Sequence, residues 1–361
     1  MKQNKIYIIA EIGVNHNGSL QHAKDLILQC KISGADAVKF QTYSSEDICD
    51  NETRKANYQI KNKSSESQLE MLKKYELSHQ EFRLLNNFAK NHKIDFITTI
   101  SDISEIDFVT KDLKLKTIKV GSSDLTNIQL LLHLGKTNKN IILSTGMSDI
   151  NKINIALSAL AFGNKKKISN FNKKYYNYFT KNLKYINNKI TLLHCTTEYP
   201  APLDELNLNV INTFQSLYSM KIGYSDHSKD LITAPLVTAK NINIIEVHVT
   251  KSNKMIGPDH SSSLDIDTFK QYIQIIKKSE RALGSFNKKI TKSENKNQKQ
   301  VVKRLFIRKD IESGQILSDE YIACKRSNIG ILASEYSAII NKKVNKSLKK
   351  GTRLVKQVLS K

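Results

Sequence analysis

Apolar positions along the chain alternate between two kinds of pattern. Eight short runs are almost continuously apolar: "IYIIAEI" (6–12), "DAVKFQT" (36–42), "IDFITT" (94–99), "TIKVGS" (117–122), "NIILSTG" (140–146), "ITLLHC" (190–195), "KIGYSDH" (221–227) and "NIIEVHV" (243–249). Runs of this length and texture predict parallel strands buried on both faces. Between them, stretches such as "LQHAKDLILQCKISG" and "HQEFRLLNNFAKNH" carry apolar residues at helical spacing and end near Gly or Asn. Eight such units within about 280 residues predict an α/β fold of the (β/α)₈ barrel type. A doubly wound sheet is the alternative, but "EIGVNHNGSL" follows the first run where a dinucleotide fold would place GxGxxG.

Polar residues inside this pattern are not scattered. Lys39, Thr99, Lys119, Ser122, Ser144, His227 and His248 sit at or near the C-terminal ends of their runs. A barrel gathers those ends at one mouth, whereas an open sheet spreads them along an edge. After the eighth unit, "GSFNKKITKSENKNQKQ" (284–300) has no apolar periodicity and reads as a linker. The predicted organisation is therefore a barrel domain over 1–284, a linker over 285–300 and a small domain over 301–361. That last segment has short strands, turn glycines and one or two helical turns at "LASEYSAII". Its size is near the lower limit for a self-sufficient core, so it is expected to pack on a partner.

Composition narrows the classes. The chain has 361 residues, 39% of them hydrophobic, and no apolar stretch approaching the roughly 20 residues of a membrane span. "MKQNKIYIIAEIGVN" runs directly into strand-like sequence without a small-residue cleavage site, so no signal peptide is expected. Four cysteines without a CxxC pair suit a reduced, cytoplasmic setting. The net charge of +23 is mostly lysine, spread along the chain with Asn and Ile as a compositional bias. The aromatic stretch "KKKISNFNKKYYNYFTKNLKY" (165–185) has the composition of a base-stacking surface and equally that of a solvated helical extension. A small anionic substrate is the better use of the charge, and neither nucleic acid nor a membrane is expected as a partner.

The histidines point to a metal. His227 and His248 occupy equivalent exits of two successive late strands. A single histidine there is usually a satisfied core residue, but two shift the reading to one shared ion. Two imidazoles leave several positions open, which suits an octahedral Mn²⁺- or Mg²⁺-type ion better than closed zinc. His194 is read as a structural residue. Lys39 and Lys119, inside apolar runs, must each meet an anion or an acidic side chain. The bland alternative is a salt bridge with Glu11, Asp124 or Glu246; together with Thr99, Ser122, Ser144 and Ser225 the lysines favour a phosphate or carboxylate ligand. Glu11, Asp124, Asp226, Glu246 and Asp259 are the carboxylates expected on the same rim.

With these residues in hand, the chain resembles the sialic acid synthase family. The resemblance rests on "AEIGVNHNGS", "GADAVKFQT", "YQIKN…ESQLEM", "KVGSSDL", "ILSTGM", "LLHCTTEYPAP", "IGYSDHS", "GPDHSSSL", "KDIESGQILS" and "KRSNIG", in order along nearly the whole chain. It implies a TIM barrel followed by an antifreeze-like (SAF) domain, in a domain-swapped homodimer whose small domains cover the partner's active site. It implies condensation of phosphoenolpyruvate with N-acetylmannosamine and release of phosphate, or the same chemistry on a diacetamido-trideoxyhexose to give a legionaminate. By matching motif, His227 and His248 would hold a divalent metal, Mn²⁺ first and Mg²⁺ or Co²⁺ as alternatives. Lys39, Thr99, Lys119, Ser122, Ser144 and Ser225 would bind phosphoenolpyruvate. Asp124, Tyr199, Asp259 and Arg326 would hold the sugar or assist catalysis, with Glu11 near the reacting carbons. The stretches "EIGVNHNG" and "KNKSSESQLEM" look more like the neuraminate branch.

Overall fold

In a computed structural model, the residues described are 5–50, 52, 53, 67–182 and 186–360. The motif "YQIKN" (58–62) and the first residue of "ESQLEM" lie outside them, as does the end of the aromatic stretch. Each expected run forms a strand: β1 (Tyr7–Gly13), β2 (Ala37–Thr42), β3 (Asp95–Ile100), β4 (Thr117–Val120), β5 (Asn140–Ser144), β6 (Ile190–His194), β7 (Lys221–Asp226) and β8 (Ile244–Thr250). The strands pair in parallel in sequence order, and β8 pairs back to β1, closing the barrel. A two-residue strand, β9 (Leu264–Asp265), extends β8.

Helices such as Leu20–Ser33 and His79–Asn91 wrap the outside. Local sequence starts and stops them. Ser19 caps the first through its side chain and Gly34, at φ 103°, ends it in the left-handed conformation. Ser78 and Glu81 form a reciprocal capping box on the second. Outward-facing strand residues such as Ile8, Val38 and Ile118 pack with the helices into the main core.

The barrel interior is layered. Ile9, Ala37, Ile97, Ile142, Leu193 and Ile244 form a separate buried apolar cluster. Two residues further along their strands stand Glu11, Lys39, Thr99, Ser144 and Glu246. Because side chains alternate with period two, these polar residues face the same interior one layer higher. Register supports the layer: Glu11 is opposite both Lys39 and His248, Thr99 is opposite Lys119, and Ser225 is opposite Glu246.

Residues 285–361 form a second compact unit, distinct from 1–284. It holds an antiparallel pair, β10 (Lys303–Ile307) and β11 (Ile322–Arg326), over its own core of Leu305, Ile307, Leu317, Ile322 and Leu354. The segment read as a linker contains a helix, Lys292–Val301, started by a Thr291–Glu294 capping box. Its described side chains are exposed, so no apolar periodicity announces it; the T-K-S-E cap is the one local signal. At "LASEYSAII" the chain makes a 3₁₀ turn and a four-residue helix, Tyr336–Ile339.

Candidate active site

The candidate residues of the barrel come together, with one exception. Glu11, Lys39, Thr99, Lys119, Ser122, Asp124, Ser144, Tyr199, Ser225, His227, His248 and Asp259 line one cavity of about 430 Å³ at the C-terminal mouth. Arg326 is elsewhere, exposed at the end of β11 in the second unit. Asp226, expected on the rim, faces the other way. It follows Ser225 and precedes His227, so the strand's alternation turns it outward. There it accepts hydrogen bonds from Ser228 N (2.9 Å), Ser228 Oγ (2.7 Å) and Tyr272 Oη (2.6 Å), and from Thr233 Oγ1.

The floor of the cavity is a buried charge network. Lys39 Nζ lies 2.6 Å from Glu11 Oε2 and 3.9 Å from Glu246 Oε2, and it donates to Thr99 Oγ1 at 2.9 Å. Lys119 Nζ lies 3.8 Å from Glu246 Oε1 and donates to the Val120 carbonyl at 3.1 Å. Lys39 therefore has a close carboxylate of its own. Burial opposes the charge on Lys39, but Glu11 and Glu246 outweigh it and raise its pKa. Burial wins at Lys119, whose pKa is lowered despite Glu246. Lys119 is thus the cation with charge still to be matched, as a site for an anionic ligand requires. The carboxylates divide in the opposite sense. Burial, with Glu246 nearby, pushes Glu11 up against the pull of Lys39. Burial also works to raise Glu246, but Lys119 and Lys39 hold it below the usual range.

The imidazoles stand above this floor. The rings of His227 and His248 lie 5.5 Å apart, and Tyr199 packs against both at 4.3 and 5.4 Å. His227 Nδ1 is 2.6 Å from the Thr196 carbonyl, so it carries the proton and leaves the Nε2 lone pair facing inward. Ser225, 3.2 Å from that Nε2, donates its hydroxyl proton to Glu246 Oε1 at 3.0 Å. His248 Nδ1 is buried without a hydrogen-bond partner, 3.9 Å from Asp259 Oδ2. Burial lowers the pKa of both histidines, and at His248 the neighbouring His227 adds to it. Two neutral imidazoles, one with its Nε2 lone pair turned into the cavity and the other with an orphaned Nδ1, fit a divalent cation. Among the described residues no cluster of three or more His, Cys, Asp or Glu could hold a metal, so an ion here would keep open positions. His194 takes no part: its Nε2 is 2.7 Å from the Leu206 carbonyl.

The remaining walls show how backbone serves the site. Gly146 N donates to Ser122 Oγ at 3.1 Å, and a Cβ on Gly146 would sit 2.1 Å from Thr197 Oγ1. A side chain at this position would require Thr197 and Ser122 to shift. Asp124 accepts from Ser101 (3.0 Å) and Ser123 (3.1 Å), with burial raising its pKa. Asp259 is pushed up by burial to about 6. The sequence puts Glu246 on the rim and offers it as a counter-ion, but nothing in it singles out Gln41. Glu246 is central, lying between both lysines, and its signal was a carboxylate two residues before a candidate ligand on a buried strand. Gln41 donates to Glu11 Oε1 at 3.1 Å and shares the cavity wall.

Comparison with known proteins places the chain in a family. The chain is 38% identical over 346 residues to the N,N'-diacetyllegionaminic acid synthase of Campylobacter jejuni, covering 96% of this chain and 97% of that one. It is 35% identical to the enzyme of the same name from Legionella pneumophila, covering 97% and 93%. The solved structure of N-acetylneuraminic acid (sialic acid) synthetase from Leptospira borgpetersenii, in complex with citrate, superposes with a TM-score of 0.66 at 28% identity, covering 82% and 90%. The NeuB family pattern matches residues 26–288 and the SAF domain pattern residues 303–357. The chain belongs to the NeuB family of nonulosonate-forming synthases and carries a C-terminal SAF domain.

Proposed function

We propose that this enzyme condenses phosphoenolpyruvate with the aldehyde of an N-acetylated amino sugar, releasing phosphate and forming a nine-carbon nonulosonate. One observation carries the reading: an under-matched buried lysine, a carboxylate pair and two neutral imidazoles share a single closed-floor cavity. Lys119, with Lys39, Thr99, Ser122, Ser144 and Ser225, holds the phosphate and carboxylate of phosphoenolpyruvate on the floor. The neutral sugar then takes the upper part, against Tyr199, Asp124 and Asp259.

His227 and His248 would hold a divalent ion, Mn²⁺ first, which when bound supplies Lewis-acid polarisation of the aldehyde oxygen. The residues do the rest. Fixing both substrates places the methylene carbon against the aldehyde carbon. As the new C–C bond forms, positive charge appears at the enol carbon, where Glu11 and Glu246 stabilise it. Water adds there, phosphate leaves from the tetrahedral carbon, and Lys39 and Lys119 balance its charge.

For the acceptor we favour a diacetamido-trideoxyhexose, because the relatives at 38% and 35% identity are N,N'-diacetyllegionaminic acid synthases. N-acetylmannosamine is the second reading, favoured by the resemblance of the first strand's exit to the neuraminate branch. The test is phosphate release from phosphoenolpyruvate with each sugar, with Mn²⁺ and after chelation. The diacetamido sugar should give the higher kcat/KM. No phosphate with either sugar overturns the proposal.

Arg326 we read as a sugar contact supplied by the second subunit of a homodimer, which follows from the resemblance. Mixing Arg326→Ala with His227→Ala under subunit exchange should restore activity, since some heterodimers then hold one complete site. A dead mixture despite measured exchange removes the shared-site reading.

A further inference from the structure

The other end of the barrel has a cavity that the proposed chemistry does not use. It occupies the N-terminal mouth and has a volume of about 620 Å³. That volume is within the range of small-molecule sites. Its floor is the underside of the interior apolar layer, Ile97, Ile142 and Ile244. Its rim carries Lys5, Lys189 and Lys221. Asp95 is the carboxylate in the lining, and the Tyr7 hydroxyl donates to it at 2.5 Å. Lys5 is paired with Asp36 at 2.8 Å. Among the described residues no carboxylate lies within ion-pair distance of Lys189 or Lys221; Lys189 Nζ instead donates to Asn138, including its carbonyl at 3.1 Å.

A second observation, from the sequence, strengthens the first. Between Asp149 and Glu198 there is no Asp or Glu, while nine lysines occur in those residues. Carboxylates make up 34 of the 361 residues, so a chain-wide lysine bias alone does not account for this gap. Lys189 belongs to this stretch, which leads into β6 at the N-terminal end of the barrel. Three of the aromatic side chains there, Phe171, Tyr175 and Tyr178, pack onto buried Phe162 at 5.2, 4.6 and 5.3 Å. Of that stretch Lys189 lines the concave, apolar-floored site, and lysines that outnumber the carboxylates of a cleft concentrate anions there.

We propose that this N-terminal mouth binds a nucleoside phosphate, its ring on the isoleucine floor and its phosphates between Lys189 and Lys221. The two features demand both parts of such a ligand. Inorganic phosphate alone leaves the apolar floor empty, and a bare nucleoside leaves the lysines unmatched.

The test is calorimetric titration of the full chain with ADP and CDP, as purine and pyrimidine probes, against inorganic phosphate and adenosine. At least one diphosphate should saturate at one site per chain, at least tenfold tighter than phosphate or adenosine. Saturating phosphoenolpyruvate should not displace it, which separates this mouth from the catalytic one. Lys189→Glu with Lys221→Glu should weaken it at least tenfold, with phosphate release from phosphoenolpyruvate unchanged. Should that pair unfold the chain, Lys221→Gln should weaken binding about threefold, as one of two contacting charges is lost. Absence of saturable binding, displacement by phosphoenolpyruvate, or indifference to the substitutions overturns the proposal. So does equal, salt-screened binding of phosphate and diphosphate, the mark of a solvated basic face.

Discussion

The same eight strands end in two very different mouths. At the C-terminal end Lys39 and Lys119 are each 3% exposed, wedged among Glu11, Glu246 and the hydroxyls of the cavity. At the N-terminal end Lys221 is exposed and Lys189 half-buried, and among the described residues neither has a carboxylate within ion-pair distance. A surface lysine contributes at most about 1 kcal/mol through any pairing. A buried one must be matched, and removing its partner costs about 3–5 kcal/mol. Chemistry is therefore concentrated at one end, while the other end has charge that is cheap to hold and free to meet a diffusing anion. The apolar layer of Ile9, Ile97, Ile142 and Leu193 separates them.

Removing a metal-facing imidazole should break the contrast hardest. His227→Ala or His248→Ala is expected to lower turnover by roughly 10³-fold or more, with Mn²⁺ affinity lost in parallel in calorimetry. Full activity after chelation would show that the imidazoles serve another purpose. Next, Glu246→Gln strips the shared counter-charge from Lys39 and Lys119. Urea denaturation should show a loss of about 3–5 kcal/mol, partly restored when Lys119→Met is added. Simple additivity of the two changes would mean they do not interact. Lys119→Met alone should raise the phosphoenolpyruvate KM about tenfold while leaving the sugar KM within about threefold, because an apolar side chain of similar size keeps volume and deletes charge. A rise confined to the sugar KM would put the phosphate elsewhere.

Acid sharpens the comparison, because the loops over the C-terminal mouth hold buried neutral histidines. Burial lowers His16 and His260 each to about 4. The unfolded chain binds these protons near the ordinary value of about 6.5, and the folded chain does not until about 4. Stability is then complete above pH 6.5 and is lost as pH falls towards 4, at up to about 1.4 kcal/mol per pH unit for each group. Denaturation midpoints at pH 6.5, 5.5 and 4.5 measure this; a flat profile removes the argument. The smallest effect belongs to the basic stretch. Lys173→Ala, exposed and outside both cavities, should change stability by less than about 0.5 kcal/mol and activity not at all.

Much of this was legible in the chain. Apolar runs of fixed length predict eight buried strands, and the position of Lys39, Lys119, His227 and His248 at run ends predicts a common mouth, because parallel strands must exit on one side. Ser19, Ser78 and Gly34 mark helix ends by capping chemistry that acts within a few residues. The helix Lys292–Val301 escaped because it buries nothing, and helices are recognised chiefly by what they bury. Asp226 is not on the rim, because between Ser225 and His227 the alternation of the strand turns it outward.

What sequence alone determined is therefore the periodic and the local: strand and helix texture, caps, and which residue types stand at strand exits. Which lysine has the closer carboxylate was decided only by tertiary structure, since Glu11 reaches Lys39 at 2.6 Å while Glu246 stays 3.8 Å from Lys119. Those distances come from register between strands far apart in the chain. The depth of burial that turns them into pKa differences comes from the closure of β8 onto β1. Electrostatic energy depends on separation and on excluded water, and neither is written at any single position.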